Sequence, residues 1–103
     1  MATITALTAT TFDDGSRLLK VDGNLDLAGV GAIETRFYAF CGGENPRVVV
    51  DLSGVHFVAS LGIRLLLQAA KTVKSRQGSI QFIHPTETAR SALEIAGLDS
   101  LIG

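Results

Sequence analysis

Cysteine occurs once, at Cys41, which excludes an internal disulfide, and one thiol beside two scattered histidines cannot build a zinc cage. Charge never accumulates: nine basic against ten acidic residues leave a formal net charge of −1, and there is no basic run. Nucleic acid and anionic membrane surfaces are therefore not expected as main partners. Long apolar stretches are missing too, the longest falling far short of a membrane span. Met1 to Thr11 alternates threonine with apolar residues, without a charged opening or an apolar run, so no signal peptide is read there. Gly29, Gly31, Gly42 and Gly43 lack the strand–turn–helix setting of a phosphate loop or a dinucleotide fingerprint. What is present is 103 residues, 47% of them hydrophobic, enough for one packed core. One domain over residues 1–103 is expected, cytoplasmic, with neither cofactor nor metal.

The order of elements follows from hydrophobic periodicity. Ile4, Ala6, Thr8 and Thr10 alternate with Thr5, Leu7, Ala9 and Thr11, a period of two that predicts a strand at a sheet edge. Asp13-Asp14-Gly15 is a turn signal, and Arg17 to Val21 reads as the returning strand of a hairpin. Asp26 is a good N-cap, followed by an apolar stripe of Leu27, Val30, Ile33, Phe37 and Phe40 on a helix that Gly42-Gly43 ends. Val48 to Val50 form an unbroken apolar strand of the kind buried on both faces, with Asp51 at its end. A second helix spans Ser60 to Gln77, with Leu61, Leu65, Leu66, Ala69, Ala70 and Val73 on its buried side and Gly78 as a left-handed terminator. Ile80 to Ile83 is a strand. Pro85 and Thr86 open a third helix, which Gly97 and Leu98 close in a Schellman arrangement. The series β-β-α-β-α-β-α implies an α/β layered domain, with parallel pairing and right-handed crossovers after the first hairpin.

Few residues offer chemistry. His56 and His84 stand far apart and in no metal-binding spacing, as expected of solvated loop histidines. Cys41 lies near the apolar stripe of the first helix, as a buried structural thiol does. Asp51, Ser53 and Gly54 read as a structural loop, in which Asp51 accepts backbone N–H bonds and Gly54 takes a turn conformation. Ser60 is different. At a helix start its hydroxyl either caps the helix, contributing about 1 kcal/mol, or accepts a phosphoryl group that the free N–H groups and the helix dipole stabilise. Phosphate there adds about −1.5 to −2 charges, tolerated by the domain and penalised in a packed interface.

Three segments in order make the chain resemble the STAS domain, shared by anti-sigma factor antagonists and the cytoplasmic tails of sulfate transporters. Val21 to Gly29 (VDGNLDLAG) is similar to the family's strand-to-helix entry. Val48 to Gly78 is similar to its central Asp-x-Ser-Gly loop, helix-start serine and helix, and Leu93 to Ile102 to its C-terminal junction. The resemblance implies a single STAS domain with a central mixed sheet of about four strands and helices packed against it. It implies a non-enzymatic protein that binds an anti-sigma factor with serine kinase activity, with a serine phosphatase as a further partner. The phosphoacceptor position falls on Ser60. The docking region falls on Asp26, Ala59, Ser60, Leu61, Gly62 and Arg64. Where the family usually reads Asp-Ser-Ser/Thr-Gly, this chain has Ala59-Ser60-Leu61-Gly62, without the acidic residue and the second hydroxyl. A constitutive docking subunit of a transporter or another signalling complex, not phosphorylated, is the competing expectation.

Overall fold

The threonine-rich alternation does form a strand, and the aspartate pair does turn the chain. In a computed structural model that describes residues 4–103, β1 (Ala6–Thr11) pairs antiparallel with β2 (Arg17–Asp22). Gly15 sits at the turn with φ +86°, a conformation that costs glycine nothing. The start of the Met1–Thr11 stretch, residues 1–3, lies outside the described residues.

The chain then alternates helix and strand: α1 (Leu27–Phe40), β3 (Arg47–Gly54), α2 (Ser60–Ser75), β4 (Ser79–Ile83) and α3 (Glu87–Ile95), followed by a 3₁₀ turn over Asp99–Leu101. The sheet order is β1-β2-β3-β4, with β2–β3 and β3–β4 parallel, so the sheet is mixed and β1 is an edge strand. Past β4, Ile102 bridges Phe82 in parallel and Gly103 donates its N–H to the Phe82 carbonyl at 2.8 Å.

Leu7, Leu19, Val21, Val48, Val50, Leu52, Ile80 and Phe82 point into one core with residues of all three helices. The intervening Thr8, Lys20, Val49, Asp51 and Gln81 are exposed or half-buried. All helices therefore cover the same face. That corrects the expectation of a strand buried on both sides: Val48 to Val50 are all apolar, yet only the Val48–Val50–Leu52 side of β3 is fully enclosed. Each such aliphatic side chain contributes about 1.5–3 kcal/mol by leaving water.

Helix ends show where tertiary contact overrules local signals. Asp26 caps α1, accepting the Gly29 N–H at 2.8 Å. Leu27, however, is 75% exposed rather than part of the buried stripe, which consists of Gly29, Val30, Ile33 and Phe37. α2 ends at Ser75, and the left-handed residue is Gln77 (φ +59°), not Gly78. The Schellman bonds run from Gly78 N–H to Val73 carbonyl (2.9 Å) and from Gln77 N–H to Lys74 carbonyl (3.0 Å). Gly78 is required for another reason: a Cβ there would lie 2.1 Å from the Pro46 carbonyl oxygen. α3 closes as expected, with Gly97 at φ +75° and Leu98 donating to the Leu93 carbonyl at 2.8 Å.

Candidate functional site

Two loops at the C-terminal ends of the parallel strands build the site, and backbone bonds hold them together. Gly23 donates to the Gly54 carbonyl (3.0 Å), Leu25 to the Phe57 carbonyl (2.9 Å), and Ala59 back to the Leu25 carbonyl (2.9 Å). Leu25 and Val58 form a parallel bridge. This short ladder sets the first turn of α1 beside the first turn of α2. Asp26 and Ser60 each follow directly on the bonded Leu25–Ala59 pair and so lie on one end of the molecule.

The start of α2 differs from the expectation in one respect. Its N-cap is Ala59, in extended geometry and with no side-chain cap bond, so Ser60 is the first helical residue and not the cap. Ser60 is exposed, and no side-chain hydrogen bond among the described residues involves it. The Gly62 and Ile63 N–H groups both reach the Ala59 carbonyl, at 2.9 and 3.1 Å, which leaves the Ser60 and Leu61 N–H groups without backbone partners. The first turn carries no acidic side chain. Unpaired N–H groups and the positive end of the helix dipole favour negative charge here.

Of the expected docking residues, Ser60, Leu61 and Arg64 lie on the surface, and Asp26 and Ala59 are half-buried. Gly62 is buried and offers a partner nothing. A Cβ on it would stand 2.6 Å from the Leu25 carbonyl oxygen, so the glycine allows α2 to press against the first loop. The expected structural loop is also corrected. Asp51, Ser53 and Gly54 are the last half of β3, which runs four residues beyond Val50. Gly54 serves close approach rather than a turn, since a Cβ would meet the Asp22 carboxylate at 2.0 Å. Asp51 does accept the Ser53 N–H, at 2.9 Å. Burial pushes its carboxyl upward, but the Ser53 N–H and hydroxyl, with the charges of Lys20 and His84, outweigh that and hold it below the ordinary value.

His56 and His84 are both exposed. Cys41 is fully buried, and that burial pushes its thiol up to about 11, far from a reactive thiolate.

The expected docking set includes Leu61, which the helical spacing places on the buried side of α2 and which is exposed, but it misses Leu27 and Phe57. Leu27 (75% exposed), Phe57 (50%) and Leu61 (37%) flank the clamped loops on the junctions leading into α1 and α2. Beside them runs a groove lined by Ile4, Asp22, Asn24, Asp26 and His56. Apolar side chains next to an open helix start are suited to docking a protein, where large exposed side chains supply most of the binding energy. Phe57 in the loop Val55–Val58 was the available signal, an aromatic residue between strand and helix.

Comparison with known proteins agrees with this architecture. A family model described as Mlab, STAS domain, matches residues 8–103. The chain is similar to the anti-sigma-F factor antagonist RsfB of Mycobacterium tuberculosis, 30% identical over 97 residues that cover 91% of this chain and 77% of the relative. Its fold is similar to that of an anti-sigma factor antagonist from Mycobacterium paratuberculosis, with a TM-score of 0.81 at 22% identity, covering 99% of this chain and 87% of that one. It is also similar to the phosphorylated form of the Bacillus cell fate determinant SpoIIAA, with a TM-score of 0.76 at 18% identity and coverage of 95% and 89%.

Proposed function

The chain belongs to the STAS domain family, and on that premise we propose that it is an anti-sigma factor antagonist working by reversible protein–protein contact. It acts by binding rather than catalysis, as a single domain in the bacterial cytoplasm, and its relative RsfB bears that function in its name. No helix among the described residues is long and apolar enough to cross a membrane.

The partner is an anti-sigma factor with serine kinase activity. It docks on Leu27, Phe57 and Leu61, around Ser60 and Arg64. In the kinase reaction the γ-phosphoryl group of ATP passes to the Ser60 Oγ, forming a phosphate ester and releasing ADP and the hydroxyl proton. The ester then places about −1.5 to −2 charges inside an apolar contact, where desolvation disfavours binding. A serine phosphatase restores the free hydroxyl. The observation that carries this reading is the position of Ser60: exposed, first in α2, and not used as a cap.

Incubation with the cognate kinase and ATP, followed by mass spectrometry, should place phosphate on Ser60 in the wild type and none on Ser60→Ala. Ser60→Ala should bind the partner as tightly as the unmodified wild type, and Ser60→Asp tens of times more weakly, a difference of about 2 kcal/mol. Absence of phosphate on Ser60 would sink the switch. Ala59, uncharged where the family usually carries an acid, favours a second reading, constitutive docking, and equal affinity of all three proteins would establish it.

A further inference from the structure

Arg64 stands four residues after Ser60 on the same exposed helix surface. Residues at this spacing are neighbours, and an acidic group N-terminal to a basic one is the favourable order. Helical side chains also lean toward the N-terminus, so a long side chain at position 64 lies back over the turn that begins with Ser60. The guanidinium is uncommitted: the one ion pair among the described residues joins Arg47 and Asp14. The phenol of Tyr38 on α1 is raised by burial and by the charges of Glu34 and Cys41, while the charge of Arg64 acts on it in the lowering sense. The cation is therefore within electrostatic reach of Tyr38 on α1 and has no bonded carboxylate among the described residues.

We propose that Arg64 is the resident counter-ion of the phosphoryl group on Ser60, pairing with it across one helical turn. The inference rests on the modification of Ser60 proposed above. Guanidinium suits the role because it presents paired N–H donors to phosphate oxygens. None of the other charged groups near the site forms an ion pair with it among the described residues. The Asp26 carboxylate is occupied by the Gly29 N–H, Glu34 faces Tyr38 from α1, and His56 lies in the loop before α2. Phosphorylation then changes two side chains together. It adds an anion at Ser60 and withdraws from the partner a cation that the unmodified surface presents. Arg64 is a positioning residue for the phosphoryl group and has no part in transferring it.

The pair can be tested without the kinase by installing phosphoserine at position 60 through codon reassignment, in wild type, Arg64→Gln and Arg64→Lys. Phosphorus NMR then follows the second ionisation of the phosphate, ordinarily near about 6. Wild type should titrate about 0.4 pH unit or more below Arg64→Gln, with Arg64→Lys between them. Added salt, about 0.5 M, should shrink that difference. Identical midpoints in wild type and Arg64→Gln would overturn the pair, whatever the absolute value, because the helix end alone would then account for it. Thermal unfolding of unmodified Arg64→Gln should match wild type and show that the variant is folded. A kinase that leaves Ser60 unlabelled, with the Arg64-dependent shift still present, would overturn the switch and leave the pair standing.

Discussion

The first turns of α1 and α2 lie side by side, joined through Leu25, and are built in opposite ways. α1 opens on Asp26, whose carboxylate takes up the Gly29 N–H. α2 opens on Ala59, which has nothing to offer the Ser60 and Leu61 N–H groups. α3 follows the first pattern: its Thr86 hydroxyl accepts the Ala89 N–H and also donates to the Val55 carbonyl. A cap is worth about 1 kcal/mol, so the bare start of α2 forgoes stability that the other helices take. In exchange it keeps an electropositive end open beside an exposed hydroxyl and three exposed apolar side chains. The contrast separates a turn closed by its own side chain from a turn left open to solvent.

The two turns share one device, and breaking it gives the largest expected effect. Gly29 and Gly62 sit at equivalent places, and a Cβ would stand 1.8 Å from the Asn24 carbonyl oxygen in the first and 2.6 Å from that of Leu25 in the second. Backbone cannot yield as a flexible side chain does, so Gly29→Val and Gly62→Val should each cost about 3 kcal/mol or more, read from denaturant midpoints. Gly62→Val should also abolish partner binding, because α2 no longer seats against Leu25. A stable, binding-competent Gly62→Val protein would show that the clamp is not needed. Next in size is Asp26→Ala, which removes a cap in use and should cost about 1–2 kcal/mol. No such loss is expected of Ser60→Ala, which removes a hydroxyl that holds nothing in place.

The sequence made one of these turns legible and half concealed the other. Asp26 before an apolar stripe announces a capped helix, since cap, period and terminator are local properties. Ser60 could be placed at a helix start but not one residue past its cap, because Ala59 carries no capping signal. Leu27 followed the apolar spacing yet is exposed: the spacing identifies a face, and only the packed sheet decides how far along the helix that face is covered. Gly54 and Gly78 both looked like turn residues. Each proves to be a contact instead, with the Asp22 carboxylate and the Pro46 carbonyl, partners 32 residues distant that no local window includes. Element order and sheet composition survive such errors, because they depend on period rather than on any single residue.

The smallest expected effect tests the contrast most directly. Ala59 has φ −87° and ψ 177°, the extended geometry of an N-cap residue, so Ala59→Asp supplies the missing cap without moving the backbone. Its carboxylate would accept the free Leu61 N–H and oppose the positive end of the helix. The gain should be about 0.5–1 kcal/mol, or roughly 2–6 °C in Tm. Capping lowers the folded pKa of an aspartate, so the gain is present above the unfolded value of about 3.9 and fades as pH falls through the folded one. With phosphoserine at 60 the sign should reverse, because the new carboxylate then stands beside a dianion and competes for the same N–H groups. A higher Tm for the unmodified variant together with a lower one for the phosphorylated variant would mark this turn as an anion site that one charge fills. A gain in both forms would mean that the bare start of α2 is ordinary helix capping left undone.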